Sequence, residues 1–375
     1  MSLRFVFFGL SITSSWGNGH ATTYRGLVKS LVACGHEVTF LERDLPFYAD
    51  NRDLPSPPYG RTYLYSSLDE LYDRFAETVR QADIAIVGSY VPDGIAVGTW
   101  VQCLAPGRAA FYDIDTPVTL ANLANGTCSY IAREQVERYA LYLSFTGGPT
   151  LERLEKEFGS PCARALYCSV DAELHSPSPC VPSWDLGYLG TYSEDRQPML
   201  EGLLLEPARS WPTGRFVVAG PQYPDSIAWP RNVARLTHLA PDGHRNFYNA
   251  QRFTLNVTRR AMVAAGWSPS VRLFEAAACA TPIITDRWPG IEEVLTPGRE
   301  ILIAERSEDA LRFLEKLPED SRIAIGAAAR NRILAEHTSM HRAEKLERLA
   351  REMLERNSRR SRGATTPSGI RTSTM

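Results

Sequence analysis

Hydrophobic positions in this chain fall into short continuous runs separated by amphipathic stretches. Residues 5–10, 84–87, 109–112 and 141–145 are nearly unbroken apolar runs, as strands buried on both faces require. After the first run, Leu27, Leu31 and Val32 share one side of a helical stretch that stops at Gly35, a favourable helix-ending residue. Residues 38–41 then supply a second strand. The unit repeats through a helix at 68–81, a helical stretch at 94–103 and a charged helix at 150–158. Strands alternating with helices predict a parallel sheet covered on both faces.

A proline-rich stretch at 176–184 (Pro177, Pro179, Pro182) reads as a hinge. Alternation then resumes at 186–189, 215–219, 253–257, 271–279, 282–285 and 301–304. The expected fold is α/β, with two Rossmann-like parallel-sheet domains facing a central cleft. The amino-terminal domain would span 1–180 and the carboxyl-terminal domain 181–325. Helices at 326–356 would pack back across the domains, since Leu346, Leu349, Met353 and Leu354 recur at helical spacing. The Ser/Thr/Arg-rich stretch 357–375 has no periodicity and reads as a disordered tail.

Composition narrows the class. A length of 375 residues suits two domains, and 44% hydrophobic with 22% charged residues excludes bulk disorder. With 41 basic against 43 acidic side chains, the net charge of −2 argues against a dedicated nucleic-acid binder. No apolar run reaches the length of a membrane helix, so no integral membrane segment is expected. The seven cysteines are scattered without a CxxC or Cys/His cluster, which gives neither a disulfide frame nor a structural zinc site. A cytoplasmic setting fits this pattern.

Three loops at the expected carboxyl ends of strands carry candidate chemistry. The first, 14–20, contains Gly17 and Gly19, which let backbone approach a ligand, and His20 at the first turn of a helix. His20 could act as general base on an acceptor hydroxyl, donate to a phosphate, or simply pack the loop. A dinucleotide reading, with Gly17, Gly19 and Glu42, competes; Thr22 stands where its third glycine should be. The second loop, 112–117, carries Asp113 and Asp115, which alternation would place on one side of a strand. They could orient a histidine, bind sugar hydroxyls, hold a metal or cap a helix; without further ligands nearby, no metal site is expected. The third, 266–279, begins a helix at Ser268 as N-cap and Pro269 as first helical residue. Its N-terminus, with Ser268, Ser270 and Arg272, suits a diphosphate. Glu275 borders the helix's apolar stripe, and a carboxylate there needs a partner: a ribose diol or an internal cation.

Leu273-Phe274-Glu275-Ala276-Ala277-Ala278-Cys279-Ala280-Thr281-Pro282-Ile283-Ile284 resembles the signature segment of nucleotide-sugar glycosyltransferases with the GT-B fold, notably family 4. Residues 286–295, with Gly290-Ile291-Glu292-Glu293-Val294, resemble the downstream loop. Together with Gly19-His20, Gly35-His36-Glu37-Val38, residues 112–117 and Leu189-Gly190-Thr191-Tyr192, the chain looks most like the spore-maturation-protein CgeB-like branch, over residues 3–314. The resemblance implies a metal-independent transfer of a sugar from a nucleoside diphosphate to an acceptor hydroxyl or amine, leaning to retention and needing no cofactor. Glu275 would hold the ribose; Gly190, Thr191, Arg196 and the helix start would contact phosphate; His20, Asp113 and Asp115 would face the acceptor. One departure stands out: Trp267 occupies the place of the family's Glu that contacts the transferred sugar. A non-catalytic sugar-nucleotide or glycan scaffold and a nicotinamide-dependent oxidoreductase are the alternatives.

Overall fold

The computed structural model describes residues 1–17 and 19–363. The first sheet contains β1 (Arg4–Gly9), β2 (Glu37–Arg43), β3 (Arg61–Tyr65), β4 (Ile84–Gly88), β5 (Ala109–Asp113), β6 (Leu141–Ser144) and β7 (Ala163–Ala165), all parallel, in the order 3-2-1-4-5-6-7. The second contains β8 (Trp184–Leu189), β9 (Phe216–Ala219), β10 (Val233–Leu236), β11 (Gln251–Asn256), β12 (Ile283–Thr285) and β13 (Leu302–Ile303), again parallel, in the order 10-9-8-11-12-13. Both sheets thus repeat one doubly wound plan. Strand order reverses between β1 and β4 and between β8 and β11, and crevices open beyond the carboxyl ends at those points.

Each sheet is sandwiched between two apolar clusters. Phe8, Val87 and Phe111 point into one layer of the first domain; Phe7, Ile86 and Tyr112 point into the other. The alternation of neighbours to opposite faces, with both faces covered, is why these strands read as unbroken apolar runs.

The crossover between domains differs from the expected hinge. Cys168 and Val170 already belong to the carboxyl-domain core, and Val170 forms an isolated bridge with Thr338 on the return path. Arg342 ties the two crossings together, donating from Nε to the Tyr167 and Cys168 carbonyls at 3.1 and 3.3 Å. The chain therefore changes domain around 166–170. The proline-rich stretch is strapped to the carboxyl domain instead: Arg245 Nε and Asn249 Nδ2 each donate to the Ser176 carbonyl at 3.1 Å.

Helix Glu319–Glu336 packs on helix Val271–Ala278, with Ala329 and Ile333 in the carboxyl core. Helix Ser339–Gly363 returns to the amino domain, where Leu346, Leu349 and Met353 join Leu27 and Leu31. This last helix continues past Arg356 to Gly363, so residues 357–363 are helical and not the tail expected there; the rest of that stretch, 364–375, lies outside the described residues. No helix among the described residues is long and apolar enough to cross a membrane.

Candidate functional site

A cavity of about 430 Å³ opens between the domains at both switch points. Gly17, Gly19 and Thr22 line its amino side, at the start of helix His20–Ala33. On the carboxyl side stand Gly190, Thr191, Arg196, Arg259, Arg272 and Glu275. The loops after β8 and β9 meet at its floor because Gly220 adopts φ +142°, where a side chain would collide with the Gly190 carbonyl.

Three arginines face this cavity, each held differently. Arg272 donates to the Leu189 carbonyl and, at 3.1 Å, to Asn256 Oδ1 and Ser270 Oγ, so it is fixed on the ends of β8 and β11. Arg196 is buried; one terminal nitrogen donates to the Thr191 carbonyl at 2.6 Å, and its Nε has no partner among the described residues. Burial first, then the like charges of Arg272 and Arg259, lower the Arg196 pKa against an opposing pull from Tyr188. Arg259, at the start of the helix after β11, reaches across the cleft to Asp115 Oδ2 at 3.5 Å. Three guanidinium groups with an unspent buried donor form a site built for an anion.

Glu275 sits one helical turn deeper and is almost wholly buried. Its Oε2 accepts from Tyr248 Oη at 3.0 Å and lies 3.4 Å from His244 Nδ1; Oε1 lies 4.0 Å from His175 Nε2. Burial alone would raise its pKa, but His244, His175 and the Tyr248 hydroxyl outweigh it and bring the value to about 2. The sequence left a ribose or an internal partner open. The structure gives Oε2 an internal partner in Tyr248, while Oε1 has only His175 Nε2, at 4.0 Å, beside it among the described residues, on a carboxylate that lines the cavity.

The amino-side residues come together less simply. His20 is half-buried; its ring packs edge-on to Tyr90 at 5.5 Å, and Nδ1 has no hydrogen-bond partner among the described residues. Burial lowers its pKa to about 4. Tyr90 Oη in turn donates to Asp115 Oδ2 at 3.0 Å, so a tyrosine stands between the histidine and the carboxylate expected directly behind it. Asp115 is mostly buried and its Oδ1 has no partner among the described residues.

Asp113 is a correction. It is fully buried and accepts from Tyr142 Oη at 2.6 Å, Thr119 Oγ1 at 2.7 Å and the Asp115 amide at 3.2 Å. Burial, opposed by those hydrogen bonds, raises its pKa to about 6. It organises the loop after β5 and does not face the cleft. Alternation fails here because β5 ends at Asp113 and Asp115 is already the N-cap of the next helix.

Glu42 is spent in a similar way. It accepts from the amides of Ile12 and Thr13 and the hydroxyls of Ser11 and Thr13, folding the loop after β1. No carboxylate oxygen remains for a cofactor ribose, which removes the dinucleotide reading.

Ser268, Ser270 and Trp267 do not line the cavity. The helix begins at Val271 with Ser270 as N-cap, two residues later than expected. Ser268 is buried against Thr146 across the domain junction, with hydroxyls 2.6 Å apart. The Trp267 indole packs against Gly148 and Gly290 and donates to Glu293 Oε1 at 2.6 Å. Its backbone is left-handed, with φ +46°, an uncommon conformation for a bulky side chain. Position 267 therefore serves the domain junction.

Sequence reasoning missed Arg259, His238, His244 and His175. Arg259 closes the short loop after the strand at the second switch point and caps the next helix, and that placement was the available signal. His238, whose ring lies 4.5 Å from Trp16 of the amino domain, sits beyond the edge strand β10 and carries no local signature.

Comparison with known proteins agrees with this geometry. Residues 196–348 match a family model described as "Glycosyl transferase-like". No curated protein sequence matches the chain. Among solved structures, sucrose-phosphate synthase from Thermosynechococcus elongatus superposes with TM-score 0.67 at 14% identity, covering 94% of this chain and 100% of that one. HepE from Anabaena, in complex with UDP and glucose, gives 0.69 at 12% identity, covering 93% and 100%. An alpha-glucosyltransferase in complex with UDP gives 0.69 at 13% identity, with the same coverage. The chain has the fold of GT-B glycosyltransferases.

Proposed function

We propose that this protein transfers a sugar from a nucleoside-diphosphate donor to an acceptor hydroxyl or amine, as a family 4-like enzyme of the CgeB-like branch. The observation that carries this reading is the convergence of Arg196, Arg259 and Arg272 with Glu275 on one interdomain cavity, in a fold whose solved neighbours include complexes with UDP. The diphosphate would take Arg196 Nε, Arg272 and the backbone at Gly190–Thr191. The ribose hydroxyls would donate to Glu275. Stabilising the leaving diphosphate is then the main catalytic device, since these donors act where negative charge grows.

Arg259 acts as a cross-cleft switch in this account. In the free protein it pairs with Asp115; a bound diphosphate would draw it over and release Asp115 toward the acceptor. His20, with a pKa of about 4, is a weak proton acceptor for a hydroxyl. That favours a positioning role and fits a retaining reaction in which the leaving diphosphate itself takes the acceptor's proton.

Two expectations follow from the site itself. Arg196→Met should weaken diphosphate binding by about 10- to 50-fold, the loss of one or two charge-assisted hydrogen bonds. The same change should not lower the melting temperature, because it removes a buried, under-partnered charge. A parallel fall in both would mean that Arg196 is structural. Transfer should also persist in excess EDTA, since the donor's charge is met by arginines; complete, metal-reversible loss would point to a metal-bridged diphosphate.

The experiment that tests the function is a thermal-shift screen against UDP-, GDP- and dTDP-sugars, followed by detection of the released nucleoside diphosphate with the stabilising donor. Stabilisation without turnover would favour the non-catalytic scaffold, for which the loss of a sugar-side carboxylate at Trp267 is the motive.

A further inference from the structure

Behind Glu275 lies a second cavity, of about 690 Å³, between helix His20–Ala33, the crossover segment and helix Pro241–Asn249. Glu275 lines both cavities and forms part of the wall between them. On the rear side this wall carries His175, which is 95% buried, and neither of its ring nitrogens has a hydrogen-bond partner among the described residues. A buried imidazole with both nitrogens bare is costly to keep, since each unsatisfied polar atom has lost its water without a replacement. His244 Nδ1 is likewise buried without a hydrogen-bond partner among the described residues, 3.4 Å from the carboxylate's other oxygen, Oε2.

One donor atom from each of His175, His244 and Glu275 can be chosen so that all lie within 4.8 Å of one another. The closest approaches are 3.4 Å from His244 Nδ1 to Glu275 Oε2 and 4.0 Å from His175 Nε2 to Glu275 Oε1. Donors around a tetrahedral zinc ion, with bonds of about 2.0–2.2 Å, stand roughly 3.3 Å apart. Contraction of less than about 1.5 Å at any pair would bring these three into that range. Two imidazoles and one carboxylate suit zinc and its borderline neighbours; magnesium and calcium prefer all-oxygen sets.

We propose that His175, His244 and Glu275 form a site for a zinc-class divalent ion, with its fourth position open to water from the cavity. The chain elements argue for a control device rather than a catalytic one. His175 lies just past the crossover at 166–170, on the stretch whose Asp171 pairs with Lys29 of the amino domain at 2.7 Å, and Glu275 lies on the helix that lines the donor cavity. An ion bound there would fasten the stretch that follows the crossover to that helix and engage Glu275. Resting on the ribose assignment above, it follows that the ion and the donor compete for the same carboxylate.

The test uses the full-length protein, stripped with chelator. Titration with Zn²⁺ should show one site, and Co²⁺ should give the intense visible bands of a tetrahedral ion. His175→Ala, with His175→Gln as a bulkier second variant, should weaken Zn²⁺ binding by about 100-fold while melting near the wild-type temperature. Unchanged Zn²⁺ affinity in both variants, or an octahedral Co²⁺ spectrum, overturns the site. In a second arm, Zn²⁺ should weaken UDP binding to wild type more than to His175→Ala, the variant controlling for metal chelation by the nucleotide in solution. If Zn²⁺ binds as expected but both proteins lose UDP affinity equally, the metal site stands and the ribose assignment of Glu275 is overturned.

Discussion

Replacing Glu275 with alanine should lower donor affinity by roughly 30- to 900-fold. That range corresponds to about 2–4 kcal/mol for the loss of two hydrogen bonds to a charged acceptor. The carboxylate is buried, with a pKa of about 2, so it is ionised throughout the neutral range and ready to accept from a diol. Its removal also strands the Tyr248 hydroxyl, which is fully buried. The folding cost of that loss is roughly 1–3 kcal/mol. Glu275→Gln keeps an acceptor for Tyr248 and should restore most of the stability but only part of the donor affinity. Calorimetric titration of nucleoside diphosphate beside thermal melting separates the two effects. Unchanged affinity with a collapsed melting temperature would make Glu275 an internal partner of Tyr248 and His244 and nothing more.

The second large effect is expected at His20. His20→Ala should reduce kcat/KM by about 100-fold, the scale at which a misplaced reacting group costs rate. The loss should appear mainly in acceptor KM, with donor binding nearly intact. At neutrality a group with a pKa of about 4 is already deprotonated, so wild type should show no His20 ionisation near pH 7. Any limb due to His20 would fall as pH drops through about 4, where the ring takes up a proton. If the variant instead loses an ionisation near neutrality, and kcat falls by 10³ or more, His20 is a general base and the reaction is better read as inverting.

The inner strands were legible because burial on both faces leaves no polar position to confuse them: all five residues of β4 and of β5 are buried. Three edge strands were not, although the fourth, β13, falls within the predicted run 301–304. β3 alternates exposed and half-buried positions, β7 is three residues long, and β10 lies at the sheet margin with Leu236 exposed. Such strands pair through backbone and carry little hydrophobic signal. The crossover was misplaced for a related reason. Prolines mark irregular chain, and residues 176–182 are irregular, but Arg245 and Asn249 hold that stretch against one domain from far along the sequence.

The candidate site divides along the same line. Glu275, Arg272, Gly190 and Thr191 come from contiguous segments whose local pattern already implied a helix start or a loop after a strand, and they share one cavity. His244 and His175 reach the site only through packing of the whole chain. Asp113 shows the opposite limit. Its spacing from Asp115 suggested a shared direction, yet Tyr142, distant in sequence, and Thr119 on the helix that follows captured it inside the fold.

The most direct test of the account is a calorimetric titration of the wild-type protein, in EDTA, with UDP, GDP and dTDP in turn. The account predicts that at least one of them binds with one site per chain and an affinity of about 100 μM or tighter, and that Arg196→Met weakens this binding. Absence of binding by all three, in protein that melts cooperatively, would contradict it.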